Sequence, residues 1–211
     1  DEAQQEHIEA HQEELHETIP NVIVTYSPFD AGEDRTDGAN WNAHLDDIPL
    51  MKLLGIDAIR VYNPITSELF LDTLAAYGIK VITVFPYDAT ELRLDDDTRM
   101  DIQSGTYQSY IQVYKDHPAI LMWEFGNEDD LTLPEGVEDL RDLHLKLNDA
   151  AKVAKDLDPH HKVSIAYSDT DQLAEYIRAT PDVDVYGINA YRYDDPSAIF
   201  VEFDRASGNR N

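Results

Sequence analysis

The chain has 211 residues, carries 43 acidic against 16 basic side chains for a formal charge of −27, and contains no cysteine. So anionic a surface excludes the ordinary electrostatic route to nucleic acid or to an anionic membrane, and the missing thiols exclude disulfides, thiolate nucleophiles and cysteine-ligated metals. At 42% hydrophobic residues the chain can fill one sizeable core, and no apolar run reaches the ~18 residues of a membrane span.

Residues 1–20 hold seven acidic side chains, no Lys or Arg, and only Ile8, Leu15 and Ile19 as large apolar residues. That stripe is thin for a packed helix, so an acidic N-terminal helix or arm is expected ahead of a main domain over residues 21–211. The start lacks the basic region and apolar stretch of a signal peptide. His7 and His11 stand at i and i+4, a spacing able to hold zinc, but nothing supplies the remaining ligands. A solvated polar face is the simpler reading, and no metal or other cofactor is expected.

After Pro20 the pattern changes. Val22, Ile23 and Val24 open a β-branched run that ends in Tyr26-Ser27-Pro28, as a buried strand entering a loop does. Similar runs recur at Ala58 to Tyr62, Lys80 to Phe85, Ile120 to Glu124, Val163 to Ala166 and Val183 to Ile188. Between them, apolar residues fall at helical spacing over Ile48 to Leu54, Leu69 to Ala75, Tyr107 to Tyr114, Leu140 to Ala154 and Leu173 to Ile177. Turn residues such as Gly55, Gly78, Pro118 and Pro159 separate helix from strand. Near-continuous apolar strands alternating with helices predict a parallel sheet covered by helices.

The units repeat about every 32 residues, and eight of them make the ~260 residues of a (β/α)8 barrel. This chain contains about six. No Gly-rich phosphate loop follows any strand, which removes the main support for a nucleotide-binding open sheet. Long loops are expected after strands at Phe29 to Asn42 and Pro86 to Gly105, on the rim where barrels build their sites.

The strongest chemical signal is Ile120 to Glu128, an apolar strand that delivers Asn127 and Glu128 side by side at its C-terminal end. A partly buried carboxyl there can protonate a leaving-group oxygen while the neighbouring amide fixes a substrate hydroxyl. The bland alternative is that Glu128 opens the solvated acidic run Glu128-Asp129-Asp130. Sugar rings bury their C–H faces against flat side chains, and Tyr26, Trp41, Tyr62, Phe85, Tyr87 and Tyr193 lie where a rim would offer them. Asn63 and Asn189, after the second and sixth strands, complete the expected sugar-binding set. Trp123 lies inside its strand and is expected in the core, and His160 and His161 are expected to be structural or solvated.

Several segments taken in order carry a resemblance. They are Val24 to Pro28 with Gly32-Glu33-Asp34, Asp47 to Asn63, Ala76 to Ile82, Tyr114 to Glu124 and Val185 to Arg192. In these the sequence resembles retaining glycoside hydrolases of the (β/α)8 clan whose fourth strand ends in Asn-Glu, nearest to family 2-like catalytic barrels and glucanosyltransferase-like relatives. The resemblance implies that Glu128 is the general acid/base and that Asn127 hydrogen-bonds a sugar hydroxyl. It also implies that Arg60 lies under the nucleophile and holds it ionised, with Tyr191 donating to the same carboxylate. Arg60 also admits a simpler role in a barrel-interior ion pair, and Tyr191 one as an ordinary rim tyrosine.

The family's nucleophile ends a seventh strand, and that segment is not evident. Glu202, in Phe200-Val201-Glu202-Phe203, is a superficial substitute. Only about eight residues separate Tyr191 from Ile199, too few for a crossover helix, and Ile199, Phe200 and Phe203 repeat at helical spacing after Asp195-Pro196. That segment therefore reads as the sixth crossover helix. The expected function is retaining hydrolysis of a polysaccharide, of β-glucan or β-mannan type, outside the cell or in its envelope, with a further C-terminal segment completing the barrel. The alternatives are a carbohydrate-binding remnant without the nucleophile, or an unrelated α/β enzyme in which Asn127-Glu128 is coincidental.

Overall fold

The computed structural model describes residues 20, 22–30, 33–35, 37–88, 100–170, 172–189 and 197–208. Six strands, β1 (Ile23–Thr25), β2 (Ala58–Val61), β3 (Lys80–Phe85), β4 (Ile120–Asn127), β5 (Lys162–Tyr167) and β6 (Val185–Ile188), pair in parallel in their sequence order. Helices carry the chain back between them: α1 (Gly38–Asn42), α2 (Asp47–Leu53), α3 (Glu68–Ala76), α4 (Tyr107–Tyr114), α5 (Leu140–Leu157) and α6 (Leu173–Ala179). A last helix, α7 (Ala198–Ser207), follows β6. The result is a curled half-barrel, six βα units of the (β/α)8 type, with β1 and β6 as its two edges among the described residues.

Local chemistry places the helices. Ser67 caps α3 by accepting the Phe70 N–H at 3.0 Å, and Asp139 caps α5 by accepting that of Asp142 at 2.8 Å. Along α5, Leu143, Leu147, Ala150, Ala151 and Ala154 are buried at helical spacing against the sheet. Gly78, at φ +64°, ends the turn after α3, a left-handed conformation that L side chains adopt only at a cost. One expectation needs correcting. Residues 38–42, read as part of a long loop, form α1, because the Asp37 side chain accepts the Ala39 N–H at 2.8 Å and starts a short helix.

Two apolar clusters fill the space between sheet and helices. One joins Trp41, Ile48, Ile59, Val61, Phe70 and Leu74 beneath β1 to β3; the other joins Phe85, Tyr110, Trp123, Phe125, Leu147 and Ile165 beneath β3 to β5. At the N-terminal end of the sheet the carboxylate of Asp158 accepts the Trp123 indole N–H at 2.8 Å and the backbone N–H groups of His160 and His161, and pairs with the His161 ring at 2.7 Å. Trp123 and His161 are thus structural, as expected. Residues 1–19, with His7 and His11, lie outside the described residues. Among the described residues no helix is long and apolar enough to cross a membrane.

Candidate active site

The C-terminal end of β4 departs from regular pairing. Glu124 is in register with Ser164 and Asn127 with Ala166, so three steps on β4 face two on β5, a bulge that re-aims the side chains following it. Gly126 has φ +72°, and Glu128 at +59° is the one non-glycine residue with positive φ among the described residues. The Glu128 backbone N–H still bonds the Ala166 carbonyl at 2.9 Å, so the turn is tied to β5. The Glu128 Oε1 atom is shielded from solvent and has no hydrogen-bond partner. Glu128 as a whole is half-buried, so one carboxylate oxygen is withdrawn from water while the residue stays accessible.

Beside it, Asn127 is oriented by two donors. Its Oδ1 accepts from Arg60 Nη2 at 2.9 Å and from Asn189 Nδ2 at 3.2 Å. With its oxygen engaged, the amide nitrogen is the end left to meet a ligand oxygen. Arg60 in turn donates from Nε to Glu124 Oε1 at 2.9 Å and contacts the same oxygen through Nη2, and the other oxygen of Glu124 accepts from Ser164 Oγ at 3.1 Å. Burial works against the charged guanidinium, but the hydrogen bond and field of Glu124 outweigh it and hold the Arg60 pKa above its ordinary value. The Tyr62 ring lies 4.8 Å from the guanidinium carbon and closes its outer face.

Arg60, Asn127 and Asn189 thus meet through hydrogen bonds at one end of the sheet, with Glu128 next in the chain after Asn127. The carboxylate that Arg60 holds among the described residues is that of Glu124, which the reading did not select. The signal was present: a single charge within the apolar run of β4, on a strand buried on both sides, must find a partner. Tyr191 and Tyr193 lie outside the described residues.

The aromatic set divides. Tyr62 is exposed and borders the cluster. Tyr26 is half-buried and its hydroxyl donates to Asp47 Oδ2 at 2.6 Å; burial, and then that bond, push its pKa well up. Asn63 is buried and accepts from Arg35 at 3.4 Å. Tyr87 is 4% exposed and packs against the core cluster that includes α5. Trp41 and Phe85 need correcting as sugar platforms. Trp41 is 1% exposed, with its indole N–H on the Arg35 carbonyl at 3.0 Å and its ring between Phe29 and Phe70. Phe85 is fully buried among Tyr107, Tyr110, Trp123 and Phe125. Neither has a face free to stack on a ligand, because apolar contact with neighbouring elements has already taken it.

Glu202 lies on α7 and contacts the Thr170 hydroxyl, so the segment is the sixth crossover helix. An apolar groove of about 730 Å³, lined by Ile177, Val183, Ile188, Ile199 and Phe203, runs along β6 between α6 and α7, away from Glu128. Among the described residues no group of three or more His, Asp or Glu side chains is arranged to hold a metal ion.

Comparison with known proteins is consistent with this geometry. The chain is 27% identical over 158 residues to beta-glucuronidase of Homo sapiens, a match covering 74% of this chain and 23% of the relative's length. Among solved structures it is similar to Bacteroides uniformis beta-glucuronidase 2, with a TM-score of 0.60 and 18% identity over 81% of this chain and 21% of that one. It is also similar to an endo-1,4-beta-mannanase from Eisenia fetida, with a TM-score of 0.54 and 20% identity over 78% of this chain and 65% of that one. These two likenesses concern the fold. The family model described as "Glycosyl hydrolases family 2, TIM barrel domain" matches residues 29–199, and with β4 ending in Asn127 and Glu128 inside six barrel units, the chain belongs to that glycosyl hydrolase family.

Proposed function

We propose that the chain forms the acid/base half of a retaining glycosidase site that acts on a neutral polysaccharide of β-glucan or β-mannan type. The observation that supports this most is the Glu128 Oε1 atom, shielded and unpartnered on a half-buried residue that follows an Asn127 amide whose oxygen is already held. In that reading Glu128 protonates the leaving-group oxygen and later deprotonates water. Asn127 donates its amide N–H to a sugar hydroxyl, and Tyr62, with Tyr191 and Tyr193, borders the sugar. A charge of −27 favours a neutral over an anionic sugar, even though named relatives are glucuronidases. A polysaccharide substrate would place the protein outside the cell or in its envelope.

Retaining hydrolysis also needs a second carboxylate ~5–5.5 Å from the first. Glu124 is engaged by Arg60 and Ser164, and Glu202 lies on α7. Among the described residues neither is placed to act as that carboxylate. The same facts favour one second reading, a sugar-binding barrel without turnover. The test measures binding of manno- and gluco-oligosaccharides by calorimetry, and their hydrolysis, in the chain and in Glu128→Gln. Hydrolysis that falls 10²–10⁴-fold with binding kept supports the enzyme; binding with no turnover in either form supports the binder. No binding of either sugar overturns both.

A further inference from the structure

The turn that carries Glu128 has a support that neither the family nor the acid/base reading assigns. Gly126 leaves a notch in the wall of β4. A Cβ built there would lie 2.1 Å from Asp129 Oδ2 and 3.6 Å from the Leu147 side chain of α5. The Asp129 carboxyl therefore occupies the space that any other residue at 126 would need for its own side chain. One of its oxygens accepts the backbone N–H of Asn127, while Oδ2 is buried and has no partner. Residues 126 to 129 thus close on themselves, with the carboxyl of the last plugging the gap of the first.

We infer that Asp129 is the positioning residue of the candidate acid: by filling the Gly126 notch and holding the Asn127 N–H, it keeps Glu128 in its left-handed conformation. The inference rests on the reading of Glu128 as the acid for its functional meaning, but its structural content stands apart from turnover. A left-handed conformation is disfavoured for an L residue, and the loop must offset that through contacts. Three hold it in place: the Glu128 N–H bond to Ala166, the bond from the Leu131 N–H to the Glu128 carbonyl at 3.0 Å, and the Asp129 plug. Shortening Asp129 removes the plug, and the turn can then relax toward right-handed conformations that swing the Glu128 side chain.

Burial pushes the Asp129 carboxyl up to about 6, against the Asn127 bond and with the charge of Asp130 adding to it. The groups that face it are Asp130 on its own loop and Tyr87 after β3; Lys146 and Asp142 of α5 also face Tyr87. The plug is therefore neutral below about pH 6 and charged, with Oδ2 unpaired, above it. The closed turn weakens as pH rises through that value.

The test is backbone amide hydrogen exchange by NMR on the intact chain, corrected for intrinsic rates, at Asn127 and Glu128 with the amides of β2 as reference. In Asp129→Ala the protection of both amides falls about tenfold, the loss of roughly one hydrogen bond, while β2 is unchanged. Asp129→Asn, of equal size and still an acceptor, retains it within about threefold. The wild type loses protection at these two amides between pH 5 and 7, and Asp129→Asn does not. Unchanged protection in Asp129→Ala, or a pH response in Asp129→Asn equal to that of the wild type, overturns the inference. Should Asp129→Ala fail to fold, the pH comparison alone decides. Glu128→Gln leaves these amides protected whatever its effect on hydrolysis, so the positioning role and the acid/base reading fail independently.

Discussion

Arg60 and Glu124 stand 64 residues apart in the chain and meet across β3 inside the barrel, where the guanidinium donates from Nε at 2.9 Å and Ser164 and Asn127 complete both groups' hydrogen bonding. Their side chains are 14% and 6% exposed. Removing one partner leaves a buried charge without compensation. Arg60→Ala is expected to destabilise the chain by ~3–5 kcal/mol in urea unfolding, whereas the double replacement Arg60→Met with Glu124→Leu is expected to be close to neutral. Equal losses in the single and double variants would contradict a coupled pair.

His144 on α5 is fully buried against the rings of Tyr167 and Tyr176, and neither of its ring nitrogens has a hydrogen-bond partner. Burial lowers its pKa, with Glu175, Asp130 and Asp139 opposing in part. A histidine whose folded pKa is depressed takes up its proton more readily when unfolded, so stability falls as pH drops below ~6.5. His144→Phe is expected to raise stability by ~1 kcal/mol or more at pH 5 and by less at pH 8, since it also removes two unsatisfied atoms. Urea midpoints at the two pH values check this.

Asp158 works in the opposite chemical sense. Burial would raise its pKa, but hydrogen bonds from Trp123, His161 and the His160 backbone outweigh it and hold the carboxyl below the ordinary range. Its contribution is present above ~4 and is lost as pH falls through the lowered value. Asp158→Ala is expected to cost ~3 kcal/mol at pH 7, because the buried Trp123 indole and the backbone donors lose their acceptor together. The penalty should shrink toward pH 2, which thermal melts across the range would detect.

For Asp129 the dependence on pH runs opposite to both. Its folded pKa of about 6 lies above the unfolded value of 3.8, so the folded chain holds the proton more tightly and stability declines as pH rises from about 4 to 6. Asp129→Asn is expected to be more stable than the wild type at pH 7.5, by ~1–3 kcal/mol, and equal to it at pH 4. Calorimetric melting at both values tests this, and a gain of the same size at pH 4 would refute it.

Much of the architecture was legible from local pattern. The apolar runs that became β2 to β5 and the helical spacing of Leu140 to Ala154 depend on near neighbours, and burial on both faces leaves strands such as Val81 to Phe85 with Thr83 as their one polar residue. Asn127, Glu128 and Arg60 stood out because polar residues at or near the ends of apolar strands need a partner or a ligand, and for Arg60 and Asn127 the structure supplies protein partners. The placement of Trp41 and Phe85 was not legible, since an aromatic ring at a strand end serves core or cleft equally well until its neighbours are known. For the Arg60–Glu124 pair an interior ion pair was foreseen for Arg60 but not its partner, because nothing local says which strand provides it.

By itself, then, the order of residues determined that strands and helices alternate, that the sheet is parallel, and that an amide and a carboxyl arrive together at the end of the fourth strand. Only the folded chain decided that Glu128 sits in a left-handed turn over a bulge, that Asp129 plugs the gap at Gly126, and that Glu124 takes the guanidinium of Arg60. The division has a physical cause. Periodicity reflects which side of an element faces away from water, and that is a property of a few consecutive residues. Bulges, notches and buried ion pairs arise where separate elements compete for the same space and the same hydrogen-bonding groups, and those contests are settled by the curvature of the assembled sheet.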